Sequence, residues 1–250
     1  MTVLTDAEIE QFMDKGHVLV KAAFPRELVD PALERVWEAL PVDRHDQSTW
    51  TSRFHHVPQN FDGGPYAASW TDRVHGAFDD LLGAGRWVGR TAQGWWPVIF
   101  PGFDKPPWSP PAEGWHVDGQ QFHHHLDSAD QALLPIFLWS DIGPGDGGTA
   151  VAEGSHKVTA RILAAHEPDG LSALELAQLV AAEPRPSVVE VNGEAGDVVL
   201  LHPFMLHTGG PNTGDKVRFI TNPCIALHEP MDLDNPTSAV ERSIAQVLLS

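Results

Sequence analysis

The second part of the chain consists of short apolar runs that Gly and Pro residues separate. Six such runs follow residue 87, at 94–100, 133–140, 148–152, 188–191, 197–201 and 217–225. They do not alternate regularly with helical patterns, as the strands of a parallel sheet would. Many short strands between turn residues predict an antiparallel barrel or sandwich. We therefore expect a mainly β fold with helices packed on its outside.

Helical patterns lie on either side of this region. Thr5 and Glu8 form a capping-box pattern, which predicts a first helix at about 6–14. Pro31 is expected to start a second helix, because Pro is tolerated only in the first turn. A strand at 17–22, a third helix at 71–82 and a closing helix at about 238–249 complete the pattern.

No linker or internal repeat divides the sequence, so we predict a single domain over residues 1–250. Residues 1–86 form a mostly helical N-terminal packing segment, and residues 87–228 form the barrel core. A helical insertion at about 157–183 interrupts the core, and residues 236–250 contain the C-terminal helix.

Composition excludes several classes of partner. Acidic residues number 34 against 16 basic ones, and the basic residues do not cluster. Nucleic acid and membrane surfaces are therefore excluded, and a small molecule is the expected partner of a monomer or homodimer. A single cysteine and the absence of a signal or membrane segment lead us to expect a cytoplasmic protein.

Fourteen histidines invite a search for a metal site, since imidazole is a common metal ligand. His116 and Asp118 are two residues apart at the expected start of a strand, which would place both on one face. His207, at the end of a strand and turn, could be a third ligand. Two His and one carboxylate are typical of non-haem Fe(II) oxygenases. His125 and Asp127 form a rival pair, but their polar flanks predict a loop.

Arg218 follows His207 by eleven residues, on the next apolar strand. Strand alternation would direct its guanidinium into the barrel, where an unpaired charge is unfavourable. No acid lies nearby in the strand sequence. A ligand carboxylate, which matches guanidinium through two parallel hydrogen bonds, is the simplest partner.

With these motifs the chain resembles the phytanoyl-CoA dioxygenase family of Fe(II)- and 2-oxoglutarate-dependent oxygenases. The motifs are Gly-Trp-His-Val-Asp at 114–118, Gly-Gly-Thr at 147–149, Gly-Ser-His-Lys at 154–157, Gly-Asp at 196–197, His-Pro at 202–203, His207 and Arg218. The resemblance implies a double-stranded β-helix, a cupin-like jelly-roll barrel. It also implies Fe(II), 2-oxoglutarate and O2 as cofactor and co-substrates.

The resemblance assigns roles to single residues. It implies that His116, Asp118 and His207 bind iron and act in catalysis, while Arg218 binds the far carboxylate of 2-oxoglutarate. A hydroxyl often assists that arginine. Many members have Ser two residues after the distal His, where this chain has Gly209, so Thr149 or Thr208 is expected to supply the hydroxyl.

The implied reaction is oxidation of a C–H bond in a small organic metabolite, with release of succinate and CO2. We expect hydroxylation in natural-product tailoring, with epimerisation, desaturation and ring closure left open. Halogenating relatives replace the carboxylate ligand, so Asp118 argues against halogenation. An acyl-CoA substrate fits poorly with the negative charge. The alternative function is a cupin-like isomerase or hydrolase that does not use 2-oxoglutarate.

Residues beside the metal motif are candidates for substrate contact. They are Trp115, Gln120, Gln121 and His123. Tryptophans at 95, 96, 108, 115 and 139 could form an aromatic pocket wall or belong to the core, and both interpretations remain open. His202 is expected to pack near the site rather than to bind metal.

Overall fold

The computed structural model describes residues 2–185 and 187–249. Met1 and Ser250, the ends of the predicted 1–86 and 236–250 segments, lie outside the described residues. The helices are Asp6–Lys15 (α1), Val29–Ala39 (α2), Gly64–Ala68 (α3), Asp72–Leu82 (α4), Ser155–Ala164 (α5), Ala173–Ala182 (α6) and Ala239–Leu248 (α7). The strands are His17–Val20 (β1), Phe54–Val57 (β2), Trp96–Ile99 (β3), His123–His124 (β4), Leu134–Leu138 (β5), Thr149–Ala152 (β6), Leu171–Ser172 (β7), Val188–Glu190 (β8), Val198–Leu201 (β9), His207–Gly209 (β10) and Arg218–Thr221 (β11).

The strands form antiparallel sheets around an apolar interior. The large sheet has the order β1-β9-β5-β11-β3-β2, the small sheet has the order β10-β6-β8, and β4 pairs with β7. One buried cluster joins Ile136, Val199 and Ile220 of the large sheet to Val151 of the small sheet. The two sheets therefore pack face to face, which confirms the predicted antiparallel β architecture.

A second cluster lies where the helices cover the large sheet. It contains Phe137 and Leu200 of the sheet together with Phe12, Val36 and Phe78 of α1, α2 and α4. The alternation along β5 and β9 thus gives each strand one face toward the barrel and one toward the helices. This outer layer fixes the back of the sheet that carries part of the site.

Local sequence signals explain the helix ends. The Thr5 and Glu8 capping box is formed, and Gly16 ends α1 with a left-handed φ of 85°. The predicted helix at 71–82 is confirmed as α4. The second helix differs, since α2 begins at Val29 and Pro31 lies within its first turn. Pro is accepted there because N–H groups of the first turn need no helical partner.

Three local predictions need correction. His116 does not start a strand, since it forms only an isolated bridge with His207. The segment at 123–125 is not simply a polar loop, because His123 and His124 form β4 and His124 is buried. Besides the predicted strand at 17–22, which is formed as β1, the N-terminal segment supplies an unpredicted strand, β2, to the large sheet. In the part of the chain that the structure describes, no helix has the length and apolar character needed to cross a bilayer.

Candidate metal centre

Three side chains from two separate parts of the chain converge beside the small sheet. The ligand atoms of His116, Asp118 and His207 all lie within 4.8 Å of one another. His116 Nε2 is 3.2 Å and His207 Nε2 is 3.7 Å from Asp118 Oδ1. Two backbone hydrogen bonds of 3.0 Å between His116 and His207 hold the segments together. The arrangement offers two imidazole nitrogens and a carboxylate oxygen to one ion.

Backbone carbonyls fix both imidazole rings. His116 Nδ1 donates to the carbonyl of Gly114 at 2.8 Å, and His207 Nδ1 donates to the carbonyl of Met205 at 3.0 Å. A carbonyl can only accept, so each Nδ1 carries a proton. In the neutral ring, the Nε2 that faces Asp118 is then unprotonated, and its lone pair is available to bind a metal.

Asp118 is held in its ionised form. Burial by itself would raise the pKa of this carboxyl group, but His207 and His116 outweigh it and lower the pKa. Asn222 contributes in the same direction, because its Nδ2 donates to Asp118 Oδ2 at 3.1 Å. Burial lowers the pKa of His207 and favours its neutral ring. Asp118 in turn outweighs the effect of burial on His116 and raises its pKa.

The rival pair at His125 and Asp127 does not form such a cluster. His125 Nδ1 instead lies 3.1 Å from Glu167 Oε2 in a partly exposed ion pair. Within residues 2–185 and 187–249, the His116 cluster is the group of His, Cys, Asp and Glu side chains that converges on one point. His202 is buried elsewhere, with its Nε2 2.9 Å from Ser243 Oγ.

Arg218 is buried at the start of β11 and forms no ion pair within the described part of the chain. Its Nε donates to the carbonyl of Gly147 at 2.7 Å, and its Nη1 donates to the carbonyl of Pro97 at 2.8 Å. Burial, together with the nearby charge of Arg53, lowers its pKa to about 9 against the opposing effect of Glu190. Among the described residues Nη2 has no hydrogen-bond partner. A buried cation beside another cation is a site for an anion.

The two threonine candidates face opposite sides of the small sheet. Gly209 pairs with Thr149, and His207 pairs with Val151, so Thr149 shares the face that His207 directs into the barrel. Thr208 lies between His207 and Gly209 and faces the other side. Its hydroxyl would lie 2.8 Å from a Cβ placed on Gly114. The strand geometry therefore favours Thr149 as the hydroxyl near Arg218.

The glycine at 209 is explained by its neighbours. A Cβ at Gly209 would lie 3.1 Å from Ile99 Cδ1 and 3.8 Å from Arg218 Nη2. A serine at this position would thus require Ile99 to move. In this chain an isoleucine methyl group occupies the space beside the arginine.

A cavity of about 300 Å³ opens beside His116 and Asp118. Of the four predicted substrate residues, Gln120 and Gln121 line it, while Trp115 and His123 are not among its lining residues. Trp115 is buried, and its indole donates to the carbonyl of Pro111. These two predicted contacts therefore receive no support from the cavity.

Sequence reasoning left out or left open several cavity residues. The five tryptophans divide, since Trp96 and Trp139 are fully buried in the core whereas Trp95 is exposed and lines the cavity. Asn222, which contacts Asp118, was not predicted. The alternation that places Ile220 on the same side as Arg218 extends to residue 222 and is the signal that could have identified it.

Comparisons with known proteins show similarity in sequence to one family and in fold to several solved structures. The family model described as phytanoyl-CoA dioxygenase matches residues 3–220. No curated protein sequence matches the chain. Solved structures are similar in fold at low sequence identity. HygX from Streptomyces hygroscopicus, with nickel, 2-oxoglutarate and hygromycin B bound, has a TM-score of 0.54 and 17% identity over 89% of this chain and 87% of its own.

Two further structures share the fold. SnoK, a non-haem alpha-ketoglutarate-dependent carbocyclase from nogalamycin biosynthesis, has a TM-score of 0.56 and 16% identity, covering 91% of this chain and 86% of its own. EctD from S. alaskensis in its apoform has a TM-score of 0.55 and 16% identity, covering 90% and 78%. These likenesses establish the double-stranded β-helix fold expected from the sequence.

Proposed function

The chain belongs to the phytanoyl-CoA dioxygenase family of Fe(II)- and 2-oxoglutarate-dependent oxygenases, and we propose that His116, Asp118 and His207 hold its iron. The family uses Fe(II), 2-oxoglutarate and O2. The observation that carries the assignment is the convergence of the three ligand atoms within 4.8 Å. This use of 2-oxoglutarate separates the enzyme from a cupin-like isomerase or hydrolase.

The residues present fit Fe(II). Two neutral imidazoles and one carboxylate form the donor set typical of non-haem iron oxygenases. The carbonyls of Gly114 and Met205 fix both rings with Nε2 toward the ion. Asn222 holds one carboxylate oxygen of Asp118, so that the other remains available to the metal.

Arg218 is proposed to bind the far carboxylate of 2-oxoglutarate. Its Nε and Nη1 are used by backbone carbonyls, which fix the plane of the guanidinium, and Nη2 remains to donate to the ligand. Thr149, on the same face of the small sheet as His207, is proposed to donate its hydroxyl to the same carboxylate. Thr208 faces away and is not required for this contact.

We propose that the reaction is hydroxylation of a small organic metabolite. With Fe(II) held by the three ligands, O2 and 2-oxoglutarate would together oxidise a C–H bond: one oxygen atom would enter the alcohol and the other succinate, with release of CO2. The protein orients the substrate in the cavity beside His116 and Asp118. An intact Asp118 supports hydroxylation rather than halogenation. The similarity in fold to HygX, which has hygromycin B bound, and to SnoK, from nogalamycin biosynthesis, supports a role in natural-product tailoring.

The cellular setting is also proposed. The single Cys224 is compatible with a reducing compartment, so we place the enzyme in the cytoplasm. The net charge of −18 favours a small-molecule substrate over nucleic acid or an anionic membrane surface. We propose a monomer or homodimer.

The test is anaerobic titration of the protein with Fe(II) and then 2-oxoglutarate, monitored by visible absorption. Chelation of 2-oxoglutarate to iron produces a weak charge-transfer band, which we expect in the native protein. His207→Ala and Asp118→Ala should abolish it. The matched control His228→Ala, at an exposed position, should keep it. Absence of the band in the native protein would overturn the proposed function.

A further inference from the structure

Trp95 presents an aromatic face at the cavity beside the metal cluster. Its side chain lines the cavity and is 58% exposed, an unusual state for a tryptophan in a fold with this much buried aromatic area. Its backbone has a φ of 58°, the left-handed region that bulky residues avoid. Such a conformation is unfavourable for a bulky residue and persists where the surrounding structure holds it.

Two neighbours restrict Trp95. A Cβ on the preceding Gly94 would lie 1.7 Å from Asn60 Oδ1, so a larger residue there would require the Asn60 side chain to move. On the other side, the His56 ring packs against the indole with the ring centroids 4.3 Å apart. The indole is thus held in place at the cavity rather than mobile on the surface.

The cavity wall is rich in carboxamides. The amide side chains that line it are Asn60, Gln120, Gln121, Gln131 and Asn222. A carboxamide offers two donors and one acceptor, and a hydroxyl group can satisfy either kind. Apolar chains, by contrast, would remove these amides from water without replacing their hydrogen bonds.

Two of these amides contain buried oxygens without a partner. Gln131 Nε2 donates to the carbonyl of Pro203, and Asn222 Nδ2 donates to Asp118 Oδ2. Both acceptors fix which end of each amide is the nitrogen. Gln131 Oε1 and Asn222 Oδ1 are then buried acceptors without a donor among the described residues. A ligand that supplies hydroxyl donors would satisfy them.

The few charged side chains of the cavity lining limit which ligands it can bind. Asp118, assigned to the metal, is the acid that lines it, and Arg90 is the cationic side chain of the lining. A coenzyme A pyrophosphate or a fatty acyl chain would find neither a cluster of cations nor an apolar wall. Hydroxyl groups match the wall better than either.

We propose that the substrate carries a polyhydroxylated saturated ring, a sugar or cyclitol unit, whose C–H face stacks on Trp95 while its hydroxyls bond the cavity amides. Aromatic side chains give such rings a large contact area with little loss of side-chain entropy. The cavity of about 300 Å³ is near the lower end of the ~300–1,000 Å³ typical of ligand pockets and suits one ring. This inference rests on the proposed function, since it places the ring beside the metal.

The test is saturation-transfer NMR on full-length protein loaded with 2-oxoglutarate and Zn(II), a diamagnetic stand-in for iron. The polyhydroxylated probes are methyl β-glucopyranoside, maltose and myo-inositol, and the apolar probes are octanoate and octanoyl-CoA. We expect transfer to the ring C–H protons of at least one polyhydroxylated probe. A response of methyl β-glucopyranoside or maltose would indicate a sugar unit, and a response of myo-inositol would indicate a cyclitol unit.

Variants locate the contact. Trp95→Ala should weaken binding of the responding probe by about tenfold, and Trp95→Phe, which keeps an aromatic face, by less than about threefold. Phe103→Ala is the matched control, because Phe103 is an exposed aromatic residue outside this cavity. It should leave probe binding unchanged.

The outcomes separate this inference from the proposed function. The inference would be overturned if octanoate or octanoyl-CoA bound and no polyhydroxylated probe did. It would also be overturned if none of the five probes bound. Equal binding to native protein and Trp95→Ala would also overturn it. The proposed function would still stand in each case if the Fe(II) and 2-oxoglutarate absorption band formed, and its own failure would be absence of that band.

Discussion

At the scale of single residues, the position of Asp118 depends on one amide. Asn222 Nδ2 donates to Asp118 Oδ2 at 3.1 Å and leaves Oδ1 toward the two imidazoles. We predict that Asn222→Ala raises the dissociation constant of Fe(II) by about tenfold or more, because outer hydrogen bonds orient metal ligands. Titration of apoprotein with Fe(II) at saturating 2-oxoglutarate, followed by the absorption band, measures this constant.

The matched control is Asn235→Ala. Asn235 is exposed, its side-chain amide donates to Asp232 Oδ2 at 3.4 Å, and it does not line the cavity. It should leave the Fe(II) affinity unchanged. A shift of less than about threefold in Asn222→Ala would show that Asp118 needs no such support.

The proposed role of Arg218 predicts how tightly 2-oxoglutarate binds. Its buried guanidinium donates to two backbone carbonyls and forms no ion pair among the described residues, so a ligand carboxylate would meet a charge without a direct acidic partner. Truncating one partner of a buried charge pair costs about 2–5 kcal/mol. We therefore predict that Arg218→Gln raises the 2-oxoglutarate concentration at half-maximal band intensity by about a hundredfold.

Arg161→Gln, at an exposed position on α5, is the matched control and should behave as the native protein. Fe(II) is kept saturating in both titrations so that only the co-substrate is compared. If Arg218→Gln required no more than about three times the native concentration, the carboxylate of 2-oxoglutarate would have to bind elsewhere.

At the scale of secondary-structure elements, His156 joins two helices. Its Nε2 donates to the carbonyl of Met13 in α1 at 3.0 Å, and its own backbone belongs to α5. The ring also packs on His202. Burial lowers the pKa of His156 to about 4, so this contact between helices is made by a neutral imidazole.

This pKa predicts an acid dependence of stability. Between pH 6.5 and 4 the unfolded chain binds a proton at His156 that the folded chain does not, so the free energy of unfolding falls as pH falls. From pH 7 to 5 this group accounts for about 2 kcal/mol. His156→Gln, which keeps a donor for Met13, should lose that part of the dependence in urea unfolding with chelator present.

His45→Gln, at an exposed position, provides the control and should keep the native pH dependence. Within each variant we compare the free energy of unfolding at pH 7 with that at pH 5. A loss of stability in His156→Gln that is the same at both pH values therefore does not affect the comparison. If the free energy of unfolding of His156→Gln changed between pH 7 and pH 5 as much as that of the native protein, His156 would have to be protonated in the folded chain at pH 5.

Elements with local signals could be predicted from the sequence, and those held by distant contacts could not. The capping box at Thr5 and the cap at Thr71 mark the starts of α1 and α4 within a few residues. The strand β2 has no such signal, because its place depends on pairing with β3. The segment of His116 and Asp118 is irregular for the same reason, since one bridge to His207 positions it.

The site shows the same division. The proposed ligands were predictable from residue type and from the motif that resembles the family, whereas the strand expected at His116 is not formed. Strand alternation identifies the direction of Arg218. The choice between Thr149 and Thr208 needed the register of β6 against β10. Trp95 needed the contact between Gly94 and Asn60, which no local pattern predicts.

At the scale of the whole molecule, the site joins three parts of the fold. His116 and Asp118 lie on an irregular segment, His207 lies on the small sheet, and Arg218 lies on the large sheet. Metal should therefore link the irregular segment to the small sheet, and 2-oxoglutarate should then link the metal to the large sheet. Binding to the folded chain alone stabilises it by mass action.

We predict two successive increases in the thermal midpoint of anaerobic apoprotein, one on adding Mn(II) and a second on adding 2-oxoglutarate. At a hundredfold excess over its dissociation constant, each ligand contributes about 2.7 kcal/mol, or roughly 5–10 °C for a chain of this size. Asp118→Ala should lose both increases, because 2-oxoglutarate chelates through the metal, whereas Arg218→Gln should keep the first and lose most of the second. If 2-oxoglutarate raised the thermal midpoint by the same amount with and without metal, the co-substrate would not join the two sheets through the metal centre.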